Sequence, residues 1–243
     1  MPCLVCGAKD TVKAHIFPRA LMHEIRADGK YALSGTKLKD GATFLQSGLW
    51  DNAILCEAHE RMLAAADDYG VDFCRRFEAD KIPTIGADGF LFRQSNPALL
   101  SQFVMSVIWR FAVSRHGRDA GISLGSFAGT LADWIFRGTQ NRPDIFVVRH
   151  EFQIDGRTIA MASHPHRFKL SGLNWWRFHI SGFGFQMKLD RRPSGLPAGL
   201  LVEGNHDLAV AQTGPTDARE FREIHERMAA GPSPPPWLVP LER

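Results

Sequence analysis

Three stretches of the chain repeat apolar residues every three or four positions, which is the period of an amphipathic helix. They predict helices over residues 57–77, 96–117 and 126–137. Asn96 is a favourable N-cap, and Pro97 suits the first helical position that follows it. The middle stretch is apolar on more than one face, so we expect it to lie in the core.

After residue 144 the pattern changes to alternating positions rich in β-branched and aromatic side chains, which predicts β-strands. The strands are expected over residues 145–148, 151–154, 158–161, 175–180 and 182–189, with further edge strands over 200–202 and 208–210. Asp155 and Gly156 form a two-residue hairpin signal between the second and third strands. The two patterns together predict an α+β protein in which a C-terminal antiparallel sheet packs on two or more central helices.

Four cysteines set the candidate chemistry of the N-terminal region. Cys3 and Cys6 form a Cys-x-x-Cys pair, and Cys56 and His59 repeat that spacing later in the chain. A two-residue gap lets a tight turn aim two side chains at one ion, so these four residues predict a closed Cys₃His site for a structural zinc ion. Cys74 is interpreted as a small core residue, or as a replacement ligand if His59 is not one. The alternative is that Cys3 and Cys6 are incidental and Cys56 is simply buried.

Two motifs around these pairs carry a family resemblance. One is Lys13-Ala14-His15-Ile16-Phe17-Pro18, before a helix-like run, and the other is Asn52-Ala53-Ile54-Leu55-Cys56. Together with the Cys-x-x-Cys pair, they resemble the HNH endonuclease superfamily over residues 1–82. The resemblance implies a treble-clef zinc module that contains a ββα unit. The resemblance does not extend to residues 83–243. These residues are expected to form a helical and β-sheet region of unknown role that packs on residues 1–82.

The resemblance also implies catalytic roles. His15 matches the general base that activates water against a phosphodiester, and Asn52 matches the residue that orients this histidine or the active loop. Glu60 stands where the family's last histidine usually follows the fourth zinc ligand, and its carboxylate can bind a catalytic Mg²⁺ or Mn²⁺. Ala14 replaces the acidic residue that usually precedes the first histidine, so an active variant and a non-cleaving one both remain open.

Other interpretations of these residues stay open as well. Asp51 and Glu57 are nearby carboxylates that can replace the missing acid, and His59 can be the catalytic last histidine instead of a zinc ligand. His15 can be a hydrogen-bonded residue beneath a helix, or a ligand in a variant zinc site. Asn52 lies in a sequence typical of a turn, where Asp and Asn cap their own backbone.

Two functions from different classes follow from these residues. The first is a divergent HNH-type metal-dependent endonuclease that acts on DNA or RNA, which the resemblance associates with phage defence or mobile elements. The second is a non-catalytic, zinc-stabilised module that binds nucleic acid or a protein partner.

The net charge of +3 is unevenly distributed along the chain. Residues 1–82 contain 11 Lys and Arg against 12 Asp and Glu, whereas residues 141–195 contain 9 against 4. A surface that grips nucleic acid must neutralise several phosphates, so the basic excess points to the later region. Basic and aromatic residues interleave there as in platforms for single-stranded nucleic acid, although a solvated sheet face with core aromatics gives the same pattern. They are His164, His166, Arg167, Lys169, Trp175, Trp176, Arg177 and His179.

Composition narrows the class of protein further. Hydrophobic residues make up 44% and charged residues 23% of the 243 residues, which excludes a mainly disordered chain. No apolar run reaches the roughly 18 residues of a membrane helix, and the first residues lack a signal-peptide pattern, so a reducing cytoplasm is the expected location. A capped helix is expected to begin near Asp217, and residues 232–236 form a proline-rich segment that can dock on a protein partner or simply pack through Trp237.

Overall fold

The computed structural model describes residues 2–25, 32–36, 39–45, 48–84, 88–139, 142–154, 157–159 and 162–214. The helix expected near Asp217, the proline-rich segment 232–236 and the turn at Asp155 and Gly156 lie outside these residues. Within them, no helix has both the length and the apolar character needed to cross a membrane. The described elements form a mixed α+β structure with one large, mostly antiparallel sheet, as the sequence predicts.

The N-terminal region contains a short antiparallel strand pair beside a long helix. Its elements are β1 (Ala14–His15), α1 (Arg19–Glu24), β2 (Ala32–Thr36), β3 (Lys39–Leu45), β4 (Trp50–Asp51) and α2 (Glu57–Asp80). β1 pairs with β4, with Ala14 opposite Asp51 and His15 opposite Trp50. Opposite residues in such a pair point to the same face, so the buried Ala14 and Asp51 share one face, while His15 and Trp50 share the other.

Three further helices follow, and their ends match local sequence signals. They are α3 (Pro97–Val113), α4 (Arg115–Asp119) and α5 (Phe127–Arg137). The Asn96 side chain accepts a hydrogen bond from Leu99 N at 3.1 Å, and Gly138 ends α5 in the left-handed region at φ 63°. The predicted middle helix is divided in two at Ser114, because the Ser114 hydroxyl accepts a hydrogen bond from Gly117 N and caps α4 as a separate helix.

The strands of the sheet come from both halves of the chain. They are β5 (Lys81–Pro83), β6 (Gly89–Phe92), β7 (Ile145–His150), β10 (Ala162–Leu170), β11 (Leu173–Ile180), β12 (Phe183–Lys188) and β13 (Leu208–Thr213). Their order across the sheet is β10-β11-β12-β7-β13-β6-β5. Neighbours are antiparallel except β13 and β7, which are parallel. β8 (Phe152–Ile154) and β9 (Arg157–Ile159) form a separate antiparallel pair of strands.

Two strand predictions differ from the structure, and three strands of the sheet, β5, β6 and β10, were not predicted. The strand predicted at the sheet edge over 208–210 is β13, which lies in the sheet interior between β7 and β6. No strand forms over 200–202, where a 3₁₀ turn is followed by a bend. β10 has no counterpart among the predicted strands, because Pro165 and a register shift between Ser163 and His166 interrupt its alternation. Both features are typical of an edge strand, which is the position of β10.

Helix α3 lies at the centre of one continuous apolar core. It packs against α2, α5 and strands β10, β11 and β12. Phenylalanine rings join the helices to the sheet: the ring centroid of Phe73 in α2 lies 4.9 Å from that of Phe92 and 5.3 Å from that of Phe183. The core extends from the N-terminal turn to β13. The predicted boundary between residues 1–82 and 83–243 falls at β5, and the division into two domains stays a prediction.

Helices α2 and α3 approach each other closely at Gly70. A Cβ atom added to Gly70 would lie 2.6 Å from two ring carbons of Phe103, and Phe103 is itself fully buried. The ring has little freedom to move, because its centroid lies 5.4 Å from that of Phe185 in the sheet. Only glycine allows α2 and α3 to pack at this distance.

Gly70→Ala is therefore expected to lower the free energy of unfolding by about 1–2 kcal/mol, because overpacking outweighs the gain in helix propensity. Gly129→Ala is the matched control, since Gly129 lies inside α5 and an added Cβ would meet no atom within 4 Å. The control is expected to raise stability by about 0.5–1 kcal/mol. Urea unfolding followed by circular dichroism measures both, and effects of the same sign would contradict the close contact.

Candidate metal centre and the adjoining histidine

The four predicted metal ligands lie together. One ligand atom from each of Cys3, Cys6, Cys56 and His59 lies within 4.8 Å of the other three. The Cys6 and Cys56 sulfurs are 3.8 Å apart, and His59 Nδ1 lies 3.2 Å from the Cys56 sulfur and 3.8 Å from the Cys3 sulfur. Among the described residues, this is the one group of three or more such side chains close enough to hold a metal ion.

Backbone hydrogen bonds build this cluster from two separate segments. In the N-terminal turn, Cys3 N donates to Ala8 O at 2.7 Å, and Gly7 N donates to Cys3 O at 2.9 Å, with Gly7 in the left-handed region at φ 75°. Leu4 N donates to Ile54 O at 2.9 Å, which ties the turn to the segment before α2. Helix α2 then begins directly after Cys56, so the x-x spacing brings the His59 ring back over the same point.

The electrostatics of the cluster favour a bound cation. Burial alone would raise the pKa of the Cys3 thiol, but backbone hydrogen bonds at Cys6, Val5 and Cys56 lower it to about 7. For Cys6, a backbone hydrogen bond at Ala8 lowers the pKa, but desolvation and the neighbouring Cys3 and Cys56 thiols raise it by more. The sulfur separation of 3.8 Å is far beyond the roughly 2 Å of a disulfide. Three thiolates this close together would repel one another, and a metal ion bound among them would offset that repulsion.

The fourth cysteine lies outside the cluster. Cys74 is buried in α2, and burial raises the pKa of its thiol far above the ordinary value. A thiol in such surroundings stays protonated and packs as a small apolar side chain. This environment matches the interpretation of Cys74 as a core residue, and His59 takes the position beside the other three sulfurs.

His15, the predicted general base, lies next to α2 in a half-buried position. Its Nε2 atom is buried and has no hydrogen-bond partner among the described residues. Desolvation lowers the pKa of the His15 imidazole below its ordinary value, and the cations of Lys13, Arg110 and Arg19 lower it further. The ring is therefore neutral at pH 7 and able to accept a proton.

The Glu60 side chain contacts the backbone of His15. The His15 backbone amide donates a hydrogen bond to the Glu60 carboxylate, while Glu60 Oε2 is buried without a partner among the described residues. Burial raises the pKa of this carboxyl group, and the Arg110 charge only partly offsets the rise. The structure thus brings together two of the three predicted catalytic residues.

Arg110 is the residue of this site that sequence reasoning missed. It lies in α3 with its side chain 0% exposed, and its guanidinium donates to both carboxylate oxygens of Asp67, at 2.7 and 2.8 Å. Its charge also acts on His15 and Glu60. A signal was present in the sequence, since Glu60 and Asp67 fall on the same stripe of α2 as the buried Leu63 and need a buried cation.

The predicted orienting residue does not join this group. The Asn52 side chain is exposed and forms no hydrogen bond with the described residues, while its backbone carbonyl accepts one from the Thr11 hydroxyl at 2.5 Å. The role of Asn52 as orienter stays a prediction.

The two carboxylates considered as substitutes for the missing acid are engaged elsewhere. Asp51, only 2% exposed, accepts hydrogen bonds from Ala53 N at 2.9 Å and from Arg115 N at 2.6 Å. Glu57 is exposed and forms an ion pair with Arg61 at 2.6 Å. Asp51 therefore holds backbone in place, and Glu57 points to solvent.

The basic sheet region offers little surface for stacking bases. Trp175 and Trp176 are 0% and 5% exposed, which matches the interpretation of these rings as packing residues. Much of the positive charge is paired: Arg149 with Glu78 and Glu151, Lys188 with Asp144, and Arg192 with Asp190. Arg167 and Lys169 remain exposed on β10.

Comparison with protein-family models, curated proteins and solved structures finds no significant match to this chain.

Protein purified in reductant without added metal is expected to hold one tightly bound metal ion per chain, measured by inductively coupled plasma mass spectrometry. Cys56→Ser should lower the metal content and the Tm, because it removes one of four ligands. Cys74→Ser is the control, since Cys74 is buried outside the cluster. Acidification should release the ion, as protons compete for the thiolates and the imidazole. Full metal content in Cys56→Ser would contradict the site.

Proposed function

We propose that the cluster binds zinc and that the N-terminal turn, the β1–β4 pair and α2 form a treble clef. A tetrahedral ion with Zn–S bonds of about 2.3 Å separates its sulfur ligands by about 3.8 Å. The distance between the Cys6 and Cys56 sulfurs is 3.8 Å. Three thiolates with one imidazole are a donor set that suits zinc in a closed, structural role.

We further propose that the chain is a divergent HNH-type metal-dependent endonuclease. The observation that carries this proposal is the meeting of His15 and Glu60, in which a neutral imidazole with an unpartnered Nε2 lies beside a carboxylate held by the His15 amide. The Cys-x-x-Cys turn and the helix after Cys56 bring these residues together in the order that the HNH resemblance implies.

His15 can act as the general base in phosphodiester hydrolysis. Nε2 takes a proton from water, the water oxygen bonds to phosphorus, and the bond from phosphorus to the leaving oxygen breaks. Lys13 and Arg19 lie close enough to influence His15 and carry charge that complements the phosphate. A divalent cation held by Glu60 would stabilise the negative charge on the phosphate and the leaving oxygen.

A second candidate is a non-catalytic nucleic-acid-binding module, and one set of observations favours it. His15 Nε2 is not exposed to solvent, so a phosphodiester can reach it only after a side chain rotates. Ala14 supplies no carboxylate, and the buried Arg110 guanidinium already neutralises charge next to Glu60. A fixed guanidinium in this position disfavours a divalent cation at Glu60 in addition to the proposed zinc ion.

Cleavage of plasmid DNA and of single-stranded RNA with Mg²⁺ or Mn²⁺ separates the two candidates. Wild-type protein is expected to cleave, and His15→Ala should reduce the rate by about 10²-fold or more, because general-base catalysis contributes that much. Glu60→Gln should change how the cleavage rate depends on the concentration of Mg²⁺ or Mn²⁺. His206→Ala is the matched control, since His206 is an exposed histidine outside the site and bonds to Ser95 O.

The metal content and Tm of each variant must first equal those of the wild type. A lower cleavage rate can then be assigned to the catalytic step and not to unfolding or loss of metal. Equal cleavage rates for wild type and His15→Ala would contradict the assignment of His15 as the general base. No cleavage by wild type with Mg²⁺ or Mn²⁺ would contradict the endonuclease, and the binding module would remain as the candidate to test.

A further inference from the structure

We propose that Cys6 is a redox-sensitive ligand of the metal centre. A peroxide oxidises its sulfur, Cys56 then forms a disulfide with it, and the bound ion is released. The proposal rests on the proposed function in taking the ion to be zinc, but it does not require the chain to be an endonuclease. It adds an oxidation site, and with it a means of regulation, to a cluster whose role is otherwise structural.

Cys6 is the exposed one of the four cysteines. Its neighbours in the cluster, Cys3 and Cys56, are only 2% and 9% exposed. Cys74 is buried as well and lies outside the cluster. A dissolved oxidant therefore meets the cluster first at the Cys6 sulfur.

The turn that carries Cys6 faces open space. A Cβ atom added to Gly7, the next residue, would meet no atom within 4 Å, and Leu4 is 48% exposed. Two backbone hydrogen bonds hold the turn, from Gly7 N to Cys3 O and from Leu4 N to Ile54 O, both at 2.9 Å. Because the backbone holds the turn, the exposed Cys6 side chain has room to rotate without unfolding it.

A second thiol lies beside Cys6 and can complete the oxidation. The Cys56 sulfur is 3.8 Å from the Cys6 sulfur, although the two residues are 50 positions apart in the chain. An approach of about 1.8 Å brings the two sulfurs to the length of a disulfide bond. Cysteines that sense oxidants are typically exposed and adjacent to such a resolving cysteine, and Cys6 has both features.

The oxidation takes two balanced steps. Coordination to the metal ion keeps Cys6 as a thiolate, which is the nucleophilic form. The Cys6 sulfur attacks one peroxide oxygen, the O–O bond breaks, and Cys6 becomes a sulfenic acid while the other oxygen leaves as hydroxide. The Cys56 thiolate then attacks the Cys6 sulfur, forms the S–S bond and expels a second hydroxide. The two thiolates have lost two electrons to the peroxide, and each hydroxide takes up a proton to become water.

The loss of two ligands releases the ion and affects the start of α2. Only Cys3 and His59 remain as ligands, and a closed zinc site needs four. Glu60 N donates a hydrogen bond to Cys56 O at 3.0 Å, so a movement of Cys56 reaches the candidate catalytic carboxylate. The His59 ring also packs edge-on against Phe136 of α5 at a centroid distance of 5.2 Å. Oxidation is therefore expected to loosen the start of α2 and its contact with α5.

Release of zinc from the purified, metal-loaded full chain tests the proposal. The protein is freed of reductant and treated with hydrogen peroxide, and the released zinc is followed with a colorimetric chelator. Wild type is expected to release its zinc, to lose the mass of two hydrogen atoms, and to show a Cys6–Cys56 disulfide in peptide mapping. Dithiothreitol with added zinc should then restore the metal content.

Two variants test whether Cys6 is the oxidised ligand. Cys6→His keeps a zinc ligand but removes the thiol, so the release of zinc by peroxide should be lost. Cys74→Ser removes a buried cysteine outside the cluster and should release zinc as the wild type does. Equal release by Cys6→His and wild type would overturn the proposal. A first disulfide that lacks Cys6 would also overturn it, and this mapping uses the wild type alone.

Hydrogen exchange measured by mass spectrometry tests the consequence for α2 and α5. Oxidised protein should exchange its amides faster over residues 57–60 and 127–137 than the zinc-loaded form, because the ion no longer holds His59. β11, in the sheet, is the internal reference and should exchange equally in both forms. Unchanged exchange in α2 and α5 would contradict the loosening.

The results separate this proposal from the proposed function. Zinc retained under peroxide by a chain that holds one ion would contradict the redox role of Cys6 alone. A preparation without bound metal would contradict the zinc centre, and the redox role with it. Release of zinc by a wild type that cleaves no nucleic acid would support the redox role and contradict the endonuclease.

Discussion

The bidentate ion pair between Arg110 and Asp67 is the interaction on which the arrangement of the candidate site depends. A guanidinium with no solvent exposure is tolerated only where carboxylates compensate it, so the pair fixes how far α3 is shifted along α2. The position of α3 in turn sets where its end at Ser114 meets β4, and thus where α4 presents Arg115. Packing of Phe103 against Gly70 holds the same two helices at short range.

The ion pair also sets the protonation states around it. Arg110 acts on His15 as a like charge and on Glu60 as an opposite charge, while burial disfavours the charged form of both groups. The outcome is an uncharged imidazole beside a carboxyl group that holds its proton more tightly than usual. Of the four sulfur and nitrogen donors, His59 lies one residue before Glu60 in α2 and Cys56 directly precedes the helix, so α2 links the Cys/His cluster to the His15–Glu60 pair and to the core.

The sequence predicted the Cys/His cluster because its spacing is local: Cys3 with Cys6, and Cys56 with His59, each need only one turn of backbone. The helices were predicted for the same reason, through periodicity and caps such as Asn96. The features that were missed depend on contacts between distant segments. The stripe of Glu60 and Asp67 on α2 indicates that a buried cation is needed, but nothing in the sequence identifies Arg110 as that cation, and nothing near Trp50 indicates its contact with α4. β13 was predicted as an edge strand because the sequence of its six residues does not show which strands lie beside it; in the structure these are β6 and β7.

The position of β13 has a consequence for the order of folding. It pairs with β6 and β7 at once, and its partners in β6 precede it by more than a hundred residues. During synthesis the N-terminal turn, β1, β4 and α2 can assemble early, whereas β6 and β7 expose open edges until residue 213 has emerged. Closing such a long loop slows folding, and open edges of apolar strands invite pairing with other chains. A ribosome that pauses before β13 would therefore hold a nascent chain whose N-terminal elements have formed and whose sheet is unfinished, with open strand edges that favour aggregation.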